Sequence, residues 1–95
     1  FIQKPPEKIV HYLNNPNENP YVSIECIVNK NDAKVKWFKN NIEINPSRCD
    51  EEEKYEIISE GPIRCLLIHD VVLNDTGNYF CSVGNDFVKT EIAII

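Results

Sequence analysis

Four cysteines and two histidines are the residues of this 95-residue chain best suited to covalent or metal chemistry. Cys65 and His69 share one face of a predicted strand, but four strand residues span roughly 13 Å, too far for both side chains to hold one zinc ion at about 2 Å. His11 also falls in a predicted strand, and no Gly-x-Ser-x-Gly elbow places a nucleophile beside either histidine. We therefore expect no metal site, no cofactor and no catalytic centre.

Acidic residues are concentrated in one segment. Asp50 to Glu60 holds six acidic residues and one lysine, and so accounts for the net charge of −5. The segment lacks the alternating ligands and the central glycine of a calcium loop, and it would repel the phosphates of a nucleic acid. It is predicted to be a solvated turn, in which Glu51, Glu52 and Glu53 are candidate contacts for a protein partner.

Apolar residues alternate with period two wherever the chain is hydrophobic, and no window carries the i, i+3, i+4, i+7 stripe of a helix. Short strands between clusters of Pro, Gly and Asn are typical of an all-β sandwich or barrel. The longest apolar runs are four residues, whereas about 20 are needed to cross a bilayer, so we expect no membrane span. The pattern predicts nine strands, at residues 2–4, 8–13, 21–29, 33–40, 42–44, 54–60, 63–69, 77–84 and 87–95.

Length and composition favour a single domain over residues 1–95. A chain of 95 residues has the usual size of one domain, and 42% hydrophobic with 26% charged residues excludes a disordered or collagen-like chain. The chain begins without a methionine or a signal-like apolar segment. We therefore expect that a leader was removed or that the domain was cut from a longer protein.

A set of motifs lies in order along the predicted strands. Cys26 and Cys81 fall on inward faces, 55 residues apart, with Trp37 inward between them. Residues 75–81 read Asp-x-Gly-x-Tyr-x-Cys, ending at the second cysteine. In this order the motifs resemble an immunoglobulin domain, closest to the intermediate (I) set, over essentially the whole chain. The resemblance implies a two-sheet immunoglobulin-like β-sandwich with strands A, A′, B, C, C′, D, E, F and G.

Two longer stretches, residues 34–44 and 54–61, resemble modules of giant muscle proteins such as titin, twitchin, obscurin and myosin-binding protein C. The resemblance implies a non-catalytic, load-bearing and protein-binding module of a sarcomeric protein, one of a longer tandem array. Its partners would be neighbouring immunoglobulin-like or fibronectin-type modules and filament proteins, and the isolated domain would be a monomer in the cytoplasm. The alternative is an extracellular domain of an adhesion molecule or receptor, in which the Asn74 sequon could carry glycan.

The resemblance also implies roles for single residues. The core would contain Trp37, Tyr79, Leu66 and Ile68, and the hydroxyl of Tyr79 would bond to backbone near Asp75.

The cysteines leave alternatives open. Cys26 and Cys81 would form a disulfide in an oxidising compartment and remain buried thiols in a reducing one. A turn near residues 60–61 would place Cys65 on an outward face opposite residue 56, out of register with Cys49. Two separate thiols are therefore favoured over a second bridge.

Phe38 and Phe80 point outward from the neighbouring strands C and F. Either a partner contact or cross-strand packing alone accounts for such a pair. The same face is expected to carry Lys34, Lys36 and Lys39.

Overall fold

The computed structural model describes residues 2–14, 16, 20–45 and 54–95. In these residues the chain forms short strands and one 3₁₀ turn, Leu73–Asp75. The strands are β1 Lys8–His11, β2 Val22–Ile27, β3 Val35–Lys39, β4 Ile42–Glu43, β5 Tyr55–Glu60, β6 Ile63–Ile68, β7 Gly77–Val83 and β8 Asp86–Ile94. No helix in this part of the chain is long and apolar enough to cross a membrane.

The strands form two sheets, so the predicted all-β sandwich is confirmed. One sheet has five strands in the order β1-β8-β7-β3-β4, and the other has three in the order β2-β6-β5. The neighbouring strands in both sheets are antiparallel except for β1 and β8, the first and last strands, which pair in parallel from Lys8 opposite Glu91 to His11 opposite Ile94.

The core lies between the sheets and follows from the alternation of each strand. Buried and exposed residues alternate along β2, with Val22, Ile24 and Cys26 inside. Each fully buried Ile, Leu or aromatic side chain contributes roughly 1.5–3 kcal/mol through the area it removes from water. The largest fully buried side chains are Trp37, Tyr79, Ile24, Leu66, Ile68 and Ile92.

The predicted first strand, at residues 2–4, is reduced to one bridge. Gln3 pairs with Ile27 at the end of β2, and three backbone hydrogen bonds of 2.8–3.1 Å join residues 2 and 3 to Ile27. The pairing cannot continue along the chain because Pro5 and Pro6 have no N–H to donate. The chain therefore passes from one sheet to the other and begins β1 at Lys8.

The hairpin between β5 and β6 differs in register from the expectation. Glu60 pairs with Ile63 across a two-residue connection, and Cys65 consequently lies opposite Ile58 rather than residue 56. Gly61 has a φ of +55°, which glycine adopts without steric cost. The expected turn was centred one residue too early in the sequence. Moving the centre of a hairpin by one residue changes the partner of each strand residue by two positions, here from residue 56 to Ile58.

Candidate interaction surface

Cys26 and Cys81 face each other across the core, from β2 in one sheet and β7 in the other. Their Sγ atoms are 3.9 Å apart, well beyond the disulfide bond length of about 2.05 Å, and both are free thiols. The disulfide alternative is therefore not supported by this structure. One thiol instead donates a hydrogen bond to the other.

The hydrogen bond between the two thiols shifts their pKa values in opposite directions. It raises the pKa of Cys81, and burial raises it further. The pKa of Cys26 is lowered by the bond from Cys81, which outweighs burial, and then by the positive charge of Arg64. Both cysteines are only 1% exposed, so neither sulfur is accessible to an oxidant in the folded domain.

The two large rings of the core differ in how their polar atoms are satisfied. The Tyr79 hydroxyl donates to the carbonyl of Asp75 at 2.7 Å, the bond that the Asp-x-Gly-x-Tyr motif predicts. Burial is the main cause that raises the pKa of this phenol above its ordinary value. Trp37 packs in the same core, but its buried indole Nε1 has no hydrogen-bond partner among the described residues.

Asp75 organises the turn before β7 with its side chain. Its Oδ2 accepts from the backbone N–H of Val72 at 2.8 Å and from Lys54 Nζ at 2.7 Å, so a charged pair ties the start of β5 to this turn. Sequence reasoning assigned no role to Lys54. The sequon threonine, Thr76, uses its hydroxyl to accept from Ile94 N–H at 3.0 Å, and nothing in the structure tests whether Asn74 carries glycan.

Arg64 was also not singled out by sequence reasoning. It occupies an inward position near the start of β6 and is only 4% exposed. Its guanidinium donates to the carbonyls of Asn31 and Ala33, at 2.6 and 3.2 Å, in the loop between β2 and β3. It also donates to Gly61 and Ile63 at the β5–β6 turn. One buried cation therefore joins two loops at the same end of the sandwich.

Three phenylalanines form an aromatic face on the outer side of the five-stranded sheet. Phe38 and Phe80 are half-buried and lie directly opposite each other on β3 and β7. Phe87 on β8 is 64% exposed, and its ring lies 6.0 Å from that of Phe38 at 42°. The two rings approach over β7, which explains why Ser82, an outward residue of that strand, is only 8% exposed.

Hollows lie on both sides of Phe87. The apolar hollow, of about 300 Å³, is lined by the aromatic face together with Asn40 and Asn41. The basic hollow, of about 600 Å³, lies towards β1. Its lining includes Phe87, Lys4, Lys8 and Lys89, with Glu7 and Glu91 as the acidic residues. Phe87 belongs to a predicted strand, and the parity of that strand could have placed it outward.

One lysine expected on this face lies elsewhere. Lys39 follows the inward parity of Trp37: its Nζ donates to the carbonyl of Asn74 at 2.9 Å and lies 6.0 Å from the centre of the Tyr79 ring. Its placement on the outward face was therefore wrong. Lys36, opposite Ser82, lies on the outward face, and Lys34 precedes β3 at an exposed position.

Cys65 is on the outer face of the three-stranded sheet, yet it is buried. It lies on the central strand between Glu25 and Ile58, and its Sγ is 3.2 Å from the Ser23 hydroxyl. Burial raises the pKa of this thiol. The position predicted as outward is thus covered by side chains of the flanking strands.

Several sequence predictions remain untested. Cys49 and the acidic residues Glu51, Glu52 and Glu53 lie outside the described residues. The partner contact predicted for Phe38 and Phe80 also stays a prediction. Within residues 2–14, 16, 20–45 and 54–95, no group of three His, Cys, Asp or Glu side chains is placed to hold a metal ion.

Known proteins are similar to this chain in sequence, and solved structures are similar to it in fold. Human slow-type myosin-binding protein C is 33% identical over 81 residues, 83% of this chain and 7% of that protein. Drosophila melanogaster titin is 32% identical over 63 residues, 66% of this chain. The solved I9–I11 tandem from titin matches 99% of this chain and 32% of the tandem, with a TM-score of 0.80 and 31% identity. The chain thus spans a small part of the length of these relatives.

A family description covers almost the whole chain. The model of the immunoglobulin I-set domain matches residues 7–94, from the start of the parallel β1–β8 pair to its end. The two-sheet topology and the Cys26, Trp37, Tyr79 and Cys81 core agree with that match. The chain therefore belongs to the immunoglobulin I-set domain family.

Proposed function

We propose that this domain is a non-catalytic, load-bearing spacer and docking module of a giant sarcomeric muscle protein. The muscle proteins among its relatives support this proposal. Residues 1–95 would be one module of a tandem array in the cytoplasm, next to immunoglobulin-like or fibronectin-type modules and filament proteins. The solved titin relative is itself a tandem.

The parallel pairing of β1 with β8 is the observation that carries the load-bearing role. After the Gln3–Ile27 bridge, the chain enters the five-stranded sheet through β1, and it leaves that sheet through β8. Because these strands point in the same direction, tension between the chain ends pulls them in opposite directions along their length. Their hydrogen bonds are then loaded in shear and must break together, which resists force better than breaking them one at a time.

The ends of the pair are held by well-formed bonds. Glu91 N–H donates to Glu7 O at 2.9 Å, and Leu13 N–H donates to Ile95 O at 2.7 Å. Both are within the distances of good backbone hydrogen bonds.

Single-molecule stretching tests the load-bearing role, with the domain flanked by reference modules of known unfolding force. Leu13→Pro removes the N–H that bonds to Ile95. The matched control is Tyr79→Phe, which weakens the core by about 1 kcal/mol without touching the strand pair. We expect the proline variant to unfold at a clearly lower force than the control, even at equal equilibrium stability. Equal forces at equal stability would contradict the proposal.

A further inference from the structure

We propose that the two hollows beside Phe87 bind one extended segment of a partner protein, which carries an aromatic residue and, about four residues later, a pair or run of acidic residues. This inference deepens the docking part of the proposed function and does not depend on the load-bearing part.

The apolar hollow provides the anchor site. Phe87 is 64% exposed although its ring lies 6.0 Å from that of Phe38, so an apolar surface is already present in the free domain. A volume of about 300 Å³ is at the lower end of ligand-sized sites, enough for one aromatic side chain. Asn40 and Asn41 in the lining offer amide groups that can bond to the backbone of a bound segment.

The basic hollow has an excess of one positive charge, which favours an acidic ligand. Lys4, Lys8 and Lys89 outnumber Glu7 and Glu91 there, in a molecule with a net charge of −5. This local excess of positive charge attracts carboxylates to the side of Phe87 away from Phe38.

The geometry sets the spacing within the ligand. Phe80 of β7 is paired with Lys89 of β8. Two residues further along β8, Glu91 is paired with Lys8 of β1. Neighbouring strands are about 4.8 Å apart, so the distance from the space between Phe38 and Phe80 to β1 is roughly 12 Å. An extended peptide covers this distance in about four residues.

The acidic strand of a second copy fits this surface less well. Glu56 and Glu60 lie on β5, but Tyr55, the aromatic residue of that strand, pairs with the core residue Ile68 and packs against the core. A second copy docking through β5 would bring the carboxylates of this strand without an exposed aromatic residue beside them. The experiment must therefore distinguish binding of the peptide from self-association of the domain.

The test uses the ¹⁵N-labelled domain and a synthetic decapeptide, Gly-Ser-Phe-Gly-Ser-Gly-Glu-Glu-Asp-Gly. We expect amide shifts confined to β1, β3, β7 and β8, with a Kd of about 1 mM or tighter. Peptides with Phe replaced by Ala, with Gln-Gln-Asn in place of the acids, or with Phe directly beside the acids should each bind roughly tenfold more weakly.

Matched variants of the domain assign the binding to the two hollows. Phe87→Ser and Lys89→Glu should each weaken binding roughly tenfold. Ile42→Ser removes an equally exposed apolar residue on β4, and Lys30→Glu reverses an exposed charge in the loop between β2 and β3. Both controls should bind within about twofold of the original domain.

Three results would overturn the proposal. The first is the absence of any amide shift at peptide concentrations well above 1 mM. The second is that Lys30→Glu weakens peptide binding as much as Lys89→Glu does. The third is that the same amides shift with protein concentration when no peptide is present, which would make a second copy the occupant. Phe87→Ser should leave the unfolding force unchanged, because it makes no β1–β8 hydrogen bond through its side chain. A failure of the peptide-binding proposal can thus be distinguished from a failure of the proposed load-bearing role.

Discussion

At the scale of single residues, Trp37 is the side chain whose loss should cost most. It is fully buried between the sheets, so Trp37→Ala should lower the free energy of unfolding by about 3–5 kcal/mol, close to the whole stability of a small domain. Trp37→Phe should cost less, because the ring refills most of the volume and removes the unpaired Nε1. Urea unfolding followed by circular dichroism measures both, since Trp37 is the single tryptophan. An unchanged midpoint for Trp37→Ala would contradict the assigned core.

Tyr79 should make stability depend on pH in the alkaline range. Burial raises its pKa in the folded state, whereas the unfolded phenol has a pKa of about 10. The unfolded chain therefore loses this proton first, so the contribution of Tyr79 is complete below about pH 10 and falls above it, by up to ~1.4 kcal/mol per pH unit.

The Tyr79→Phe variant isolates this contribution. At neutral pH it should be about 1 kcal/mol less stable, because the Asp75 carbonyl loses its donor. Above pH 10 the two stability curves, measured by urea unfolding, should converge, since only the original protein has this group to ionise. Parallel curves up to pH 11 would show that the phenol is not held in its protonated form.

Strand parity predicted Trp37 and Cys26 on the inner side, because a single period-two rule decides the face of each residue. The same rule could not reveal the contact of Phe87 with Phe38, which depends on β7 lying between their strands. Arg64 was missed for a related reason. Its partners are backbone carbonyls, and carbonyls carry no signal in the sequence.

At the scale of elements, Arg64 holds the β2–β3 loop against the β5–β6 turn. Arg64→Met keeps much of the buried volume but leaves the carbonyls of Asn31 and Ala33 without this donor. We expect a loss of about 1–3 kcal/mol and faster amide hydrogen exchange in both loops. Lys30→Glu, an exposed change in the same β2–β3 loop, is the control. Unchanged exchange in the β5–β6 turn would show that Arg64 does not link the two loops.

Apart from the first predicted strand, the strand boundaries were predicted to within about two residues at each end. The predicted strand at 63–69 becomes β6, Ile63–Ile68, which is central in its sheet. The predicted strand at 2–4 becomes a bridge because two prolines follow it. The β5–β6 register depended on where the turn is centred, which alternation alone does not specify.

At the scale of the whole molecule, the proposed function assigns different roles to the two chain ends and to the outer sheet face. In the proposed load-bearing role, tension would act along the paired strands β1 and β8, whereas the hollows beside Phe87 lie on the outer face of the same sheet. A partner bound there would cross β1 and β8 and contact both. Ligand binding and mechanical stability can therefore be linked through these strands without any change in the core.

The redox state of Cys26 and Cys81 should set how far the stretched molecule extends. In this structure the thiols are free, so unfolding should release all 95 residues, or roughly 290 Å beyond the folded length at ~3.5 Å per residue. Unfolding and refolding the domain in glutathione disulfide should close the bond, because Cys26 and Cys81 are each 1% exposed when folded and meet the oxidant only in the unfolded chain. Tension then extends only residues 1–26 and 81–95, roughly 100 Å. Cys81→Ser should give the long extension under both conditions, and a short extension in that variant would place the bridge at another cysteine.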